Sequence, residues 1–446
     1  MATTRWILPL LALAWVAGCT SGGGDSDAGA GGAKDGGSGG DGGTGAFEIT
    51  VLDPDGFGDF PVSVAVSGSK VGAAYFAKLD SPDGGTLQEL RYVEAGKAPE
   101  KVAVVHNVYG ASLAFNAAGE PLIAYLGGGS GGSLYWLESD LALARRGATG
   151  AWTSAVVQAD SPTMGTVVGL WPSMAVGAND QIFIAFRDIH FGQFPVQDYQ
   201  HSDVQLATGK PGAFATTTAA AGANTTLGHG GLNALVLTND VATPNVDQPA
   251  IAWSLQPGGS LDTPRDIYFA ARAGPCAKDA DCVGTTAGRC ASNKCTAWGV
   301  PLKVQPVGNV NKGVQLAWSK TAGFGMAWED KNAATLNFTE SSDGIDWKAP
   351  DPIHGFGTGG WYPSLAFTPD GDPAVSYYVC SVRNGADSCP PDDDELILAT
   401  RRSGNWIKQT VDSAGGRLSR LGYAGGAAVI VYKDVDFKTL KLARQR

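Results

Sequence analysis

The strongest constraint on this chain is a short motif that recurs through its length. The stretch Ala111–Phe115 (ASLAF) is followed by Pro121–Tyr125 (PLIAY), Pro172–Val176 (PSMAV) by Ile182–Phe186 (IFIAF), and Pro363–Phe367 (PSLAF) by Pro373–Tyr377 (PAVSY). Each copy reads as a short apolar strand, a tight turn and a second strand that ends in an aromatic ring. Weaker copies at Val62–Tyr75, Gly231–Trp253, Val314–Trp328 and Leu418–Tyr432 bring the count to seven. A third strand with its own signature follows, as at Leu141–Arg145, Ile267–Arg272, Leu396–Arg401 and Leu440–Arg444, and an aromatic opens a fourth at Trp152, Trp298, Trp347 and Trp406. Four short strands in about 50–60 residues describe one blade of a β-propeller. The expected fold is therefore all-β, a seven-bladed β-propeller of four-stranded blades. The last copy stops after its third strand, while Phe47–Asp53 has the look of the fourth strand Trp406–Asp412. That N-terminal strand is expected to complete the last blade and close the ring, which removes the open sheet edges. The irregular fourth copy leaves six or eight blades open.

The N-terminus carries a different kind of signal. Met1–Arg5 is a short basic start, Trp6–Ala17 an apolar run, and Val16-Ala17-Gly18-Cys19 a small-residue ending. This is the order of a secretory signal, and the run is too short for the ~20 residues that span a bilayer. The segment resembles the lipobox of bacterial lipoproteins. The resemblance implies a signal peptide over 1–18, lipid attached to Cys19, and a membrane as partner, with the outer membrane favoured. Residues 19–46 are nearly all Gly, Asp, Ser and Ala and cannot bury enough apolar surface to order themselves. They read as a flexible tether, with a root-mean-square reach of roughly 30 Å. Residues 47–446 are the propeller.

A formal net charge of -11 and only 17% charged residues argue against nucleic acid as a partner. A monomer is expected. Of seven cysteines, Cys19 is assigned to lipid, leaving an even six in an oxidising compartment. Cys276, Cys282, Cys290 and Cys295 cluster in an insert over 274–297, between the third and fourth strands of blade four. Two disulfides are favoured over zinc, since no CxxC pair occurs, and the pairing is open among three arrangements. Cys380 and Cys389 bracket one loop and are expected to pair.

Ser341–Trp347 (SSDGIDW) looks like a shortened Asp box, and with the repeat it makes the mature chain similar to secreted propellers of the sialidase-like, BNR-repeat kind. In that family the box lies in the turn between third and fourth strands, as here, and stabilises the turn without taking part in chemistry. The resemblance raises a sialidase-like glycosidase as one reading. The Phe-Arg-Ile-Pro segment expected near the start of that family's fold is missing; Arg187, Arg265, Arg383 and Arg420 are the arginines that could reach the loop face.

With the strands named A to D outward from the channel, the long B–C and D–A loops share one face. All five histidines fall there: His106, His190, His201, His229 and His354. Aromatics just before A strands join them at Tyr109, Trp171, Trp361 and Tyr362. Ionisable residues closing B strands sit near the same mouth: Arg187, Asp188, Glu329, Asp330, Lys433 and Asp434. Functional groups gather on loops held by a rigid scaffold, so this face is the candidate binding site. No HxH or HExxH spacing occurs, and no metal ligands are assigned. The Asp53–Asp59 and Asp392–Glu395 runs offer oxygen ligands for calcium but read better as solvated turns. Arginines closing C strands (Arg145, Arg146, Arg272, Arg401, Arg402 and Arg444) map to the opposite face, where the tether enters, and are expected to look towards the membrane. The favoured function is non-catalytic binding of a glycan or protein through the loop face, with a divergent glycosidase and a purely structural module as alternatives.

Overall fold

The computed structural model describes residues 46–446 except 57–61, 79–86, 106–108, 129–138, 148, 162–163, 166, 191–201, 223–226, 240–246, 258–264, 272–289, 292–293, 296–297, 299–300, 311–312, 356–358, 381–393 and 435–437. Cys19, His106, His201, Cys276, Cys282, Arg383, Cys389 and the 392–393 acidic pair lie outside the described residues, as do the side chains of His229, Cys290 and Cys295.

Apart from one 3-10 turn at Ala178–Asp180, the described regular structure is β. Strand β1 is Phe47–Asp53. A first unit follows with β2 (Ser63–Ser67), β3 (Lys70–Lys78), β4 (Gln88–Glu94) and β5 (Glu100–Val105). The second is β6 (Ala111–Phe115), β7 (Pro121–Gly128), β8 (Ser139–Arg146) and β9 (Trp152–Gln158). The third is β10 (Val167–Val176), β11 (Ile182–Ile189), β12 (Ser202–Lys210) and β13 (Ala213–Ala220). The fourth holds β14 (Leu227–Asn239), β15 (Asp247–Pro257), β16 (Arg265–Ala271) and β19 (Leu302–Gln305), with a small hairpin of β17 (Cys290–Ala291) and β18 (Lys294–Cys295) between the last two. The fifth is β20 (Val314–Ser319), β21 (Gly323–Asp330), β22 (Thr335–Ser341) and β23 (Asp351–His354). The sixth is β24 (Gly359–Phe367), β25 (Pro373–Cys380), β26 (Asp394–Arg402) and β27 (Asn405–Asp412), and the seventh β28 (Arg417–Ala424), β29 (Ala427–Lys433) and β30 (Leu440–Gln445).

The fold is a β-propeller, but its sheets differ from the expectation of seven separate blades. Five sheets have four strands, and the second and third units form one eight-stranded sheet. The two units in that sheet are joined by a parallel bridge between Val167 and Ser139. The reason is local: β10 begins early, and its first residue runs alongside the start of β8. Strand β1 pairs with β30, from Phe47 opposite Gln445 to Asp53 opposite Leu440, and completes the last sheet. The inner strands β2, β6, β10, β14, β20, β24 and β28 each lie against the next, and β28 lies against β2.

The repeated serine of the sequence motif explains much of this closure. The hydroxyl of Ser63 accepts the backbone N–H of Leu113 at 2.9 Å, Ser112 that of Met174 at 2.8 Å, Ser173 that of Leu235 at 3.0 Å, and Ser364 that of Leu421 at 2.9 Å. Each bond joins one inner strand to the inner strand of the following unit, satisfying an N–H that the ladder leaves open. The aromatics that end the second strands (Tyr75, Phe186, Trp253, Trp328, Tyr377 and Tyr432 among them) are buried between units. The Asp-box turn joins β22 to β23: Asp343 Oδ1 accepts from Ile345 N at 2.8 Å and Asp346 N at 3.0 Å, Ser341 Oγ accepts from Gly344 N at 2.8 Å, and Trp347 packs edge-on against Phe269.

Candidate functional site

The loop face is shaped by a bulge at the start of several inner strands. Register breaks fall between Leu170 and Ser173, between Trp361 and Ser364, and between Arg417 and Arg420. A glycine opens the feature. Gly169 has φ +107, and a Cβ there would lie 2.8 Å from the Leu141 backbone; Gly416 has φ +114, and a Cβ would lie 2.7 Å from that of Leu396. Two residues later Trp171 (φ +48), Tyr362 (φ +53) and Leu418 (φ +57) adopt the left-handed conformation that bulky side chains avoid. Bulges and such strained residues collect at functional mouths because they re-aim side chains.

Two aromatic clusters result. On the third unit, Arg187 is fully buried and lies across from Leu170, with its guanidinium 5.5 Å from the centre of the Trp171 ring. Trp171 donates its backbone N–H to the Tyr109 carbonyl at 2.9 Å, and both rings pack on Leu126, Val167, Leu170 and Ile189. On the sixth and seventh units, Arg417 lies 5.2 Å from the Tyr378 ring, with Trp361 and Tyr362 beside it at 5.9 and 6.4 Å. Burial is the main cause that pushes the Tyr378 hydroxyl up to about 12. Trp171 and Trp361 are half-buried.

Next to Trp171 lies a cluster of ionisable groups. Asp188, fully buried, sits directly across the ladder from Asp203. His190 Nε2 is 3.3 Å from Asp188 Oδ2 and 3.4 Å from Asp203 Oδ2. The other oxygens are held by backbone: Asp188 Oδ1 by Gly165 N–H at 2.5 Å, Asp203 Oδ1 by Gly222 N–H at 2.7 Å. Gln205 Nε2 reaches Asp188 Oδ2 at 3.4 Å, and Thr218 fixes Gln205 through its amide oxygen. Burial pushes the Asp188 carboxyl above the usual carboxylate range, with Asp203 adding to the push, against the hydrogen bonds from His190 and Gly165.

Other residues singled out from sequence have structural employment. Asp330 caps a turn by accepting from Asn332 N at 3.0 Å and Ala333 N at 3.2 Å, and Glu329 is buried on the ladder opposite Leu336. Asp434 pairs with Lys441 at 2.9 Å, and Lys433 is buried opposite Leu440. His354 ends β23 and stands edge-on to Tyr377 of the next unit at 5.5 Å, where burial holds its imidazole below the ordinary value. Arg420 takes the inner-strand position held by serine in other units and donates to the Ser419 carbonyl at 2.8 Å. On the opposite face, Arg146 is paired with Glu100 at 2.8 Å and Arg401 with Glu340 at 3.1 Å and Asp351 at 3.2 Å. Those two arginines clamp neighbouring units, and only Arg145 and Arg402 of that group are exposed among the described residues.

Sequence reasoning missed Asp203, Gln205, Tyr378 and Arg417. A usable signal existed for Asp203: Ser139-Asp140 and Ser202-Asp203 open equivalent third strands. Arg417 needed the bulge register, which spacing alone does not show.

No protein-family model matches the chain, and no curated protein does. Among solved structures it is similar to an ulvan lyase of a new polysaccharide lyase family, bound to a glucuronate- and rhamnose-containing saccharide. That match has a TM-score of 0.54 at 10% identity and covers 88% of this chain and 94% of that one. A Trypanosoma rangeli sialidase mutant displaying trans-sialidase activity matches at a TM-score of 0.41 and 11% identity over 83% of this chain, which spans 59% of that protein. A Hadza microbial sialidase matches at 0.40 and 13% identity, covering 82% and 74%. At 10% identity the ulvan lyase likeness is one of fold alone.

Proposed function

We propose that this protein is a lipid-anchored propeller of the bacterial cell envelope that binds a glycan, without turning it over, on its B–C/D–A loop face. The observation that carries the reading is the pair of half-buried rings, Trp171 and Trp361, held out at the bulged starts of inner strands and braced by buried groups. Sugar rings present apolar C–H faces that lie flat on such aromatics, while the polar groups around them fix orientation. The saccharide bound to the ulvan lyase supports a glycan as the ligand class. The eight-stranded sheet is read as two blades, because a single bridge joins them, which gives a ring of seven. Cys19 carries the lipid, residues 19–46 are the tether, and the mature protein is a monomer held at the outer membrane. Cys380, disulfide-bonded at the end of β25, is paired with Cys389, and the four cysteines of the insert form two further disulfides.

The test is a glycan array probed with the purified full chain, run beside assays for sialoside hydrolysis and for unsaturated uronate products. Retention of a defined glycan class with no product supports the reading. Turnover of any bound glycan replaces it with an enzyme, and the absence of any retained glycan removes it.

A further inference from the structure

We propose that Asp188, His190 and Asp203 form a divalent-cation site of the tetrahedral, zinc-like class on the loop face. Three observations point there. First, two carboxylates stand directly opposite on one ladder, a placement that is unfavourable for like charges unless a cation lies between them. Second, one oxygen of each is tied to a loop N–H, which turns Oδ2 of Asp188 and Oδ2 of Asp203 towards the same point as His190 Nε2, all three within 4.8 Å of one another. Orientation of ligand oxygens by outer hydrogen bonds is the usual support of a metal site. Third, the nitrogen–oxygen separations of 3.3 and 3.4 Å are longer than the ~2.7–2.9 Å of a charge-assisted hydrogen bond. They match the edge of a tetrahedron whose metal–ligand bonds are about 2.0–2.1 Å, roughly 3.3–3.4 Å.

The second unit supplies an internal comparison. There Asp140 occupies the place of Asp203 and likewise accepts a loop N–H, from Asp160 at 3.0 Å. Its partner across the ladder is Gly127, where the third unit has Asp188. The strand end is therefore built without a second carboxylate, and Asp188 with His190 is an addition to it. Three protein ligands leave a fourth position, which can take a water or an oxygen of a bound ligand. This site does not depend on the glycan reading, and either can fail alone.

The full chain, stripped with a chelator and dialysed, is titrated with Co2+ as the probe and then challenged with Zn2+. The expected result is a tetrahedral d–d spectrum without a sulfur charge-transfer band, displaced by Zn2+. His190→Gln and Asp203→Asn should each lose that one equivalent or bind it at least tenfold more weakly. Asp140→Asn should leave it unchanged. A wild-type protein that gives no tetrahedral spectrum, or only one of thiolate type, overturns the proposal and leaves a plain ion pair. So does an unchanged spectrum in both folded variants. If a variant fails to fold, the wild-type spectrum and its Zn2+ displacement decide.

Discussion

At the scale of single residues, two positions carry testable weight. Gly416 is held at φ +114 with Leu396 within 2.7 Å of where a Cβ would stand. Gly416→Ala should cost about 1–3 kcal/mol in denaturant unfolding, because the strained conformation and the contact must both be relieved. Glu340 lies in a cage of Lys348 at 2.6 Å and Arg401 at 3.1 Å. Burial would raise its pKa, but hydrogen bonds from the two cations outweigh it and hold the carboxyl below its ordinary 4.5. A depressed folded-state value means the stabilisation is present above that ordinary pKa and is lost as pH falls through the lower folded one. Glu340→Gln should therefore lower Tm at pH 7 by an amount equivalent to about 1–2 kcal/mol. The gap from wild type should close at acid pH; a gap that persists there would show that the charge is not its source.

Elements are joined by two latches that repeat from unit to unit. On the loop face, the last residue of an outer strand meets a tyrosine and a cation of the next unit. Asp53 accepts from the Tyr75 hydroxyl and pairs with Arg91 at 3.1 Å, and Asp412 accepts from the Tyr432 hydroxyl and pairs with Lys441 at 3.4 Å. On the other face, Trp152 Nε1–H donates to Glu100 at 2.8 Å beside Arg146, and Trp406 Nε1–H to Asp351 at 3.0 Å beside Arg401. Trp406→Phe keeps a ring edge-on to Phe338 but removes the donor, and calorimetry should show a loss of about 1–2 kcal/mol. A loss well above that would mean packing, not the bond, does the joining. The strands themselves were legible in the sequence because apolar alternation and turn residues mark them directly. The aromatic at each fourth-strand start was equally visible, as were Trp171 and Trp361 before their inner strands. What the indoles of Trp152 and Trp406 bond to was not, since Glu100 and Asp351 lie some fifty residues away across a unit boundary. The fusion of the second and third units turned on one bridge at Val167, which no composition signal marks.

For the whole molecule, closure by β1 and binding by the loop face are the claims at stake. Deleting residues 46–53 would remove the partner of β30 together with the Asp53 anchor of Tyr75 and Arg91. The truncated protein should elute larger in size-exclusion chromatography and unfold at lower denaturant than the intact chain, because β30 loses its ladder partner and becomes an open edge. Replacing Cys19 with Ala should move the protein from the membrane fraction to the soluble one. The most direct measurement is calorimetric titration of the intact protein and of Trp171→Ala and Trp361→Ala with the glycan selected on the array. Both variants should keep the wild-type Tm to within a few degrees and bind at least tenfold more weakly. Wild-type affinity in both folded variants would rule out binding through these two rings.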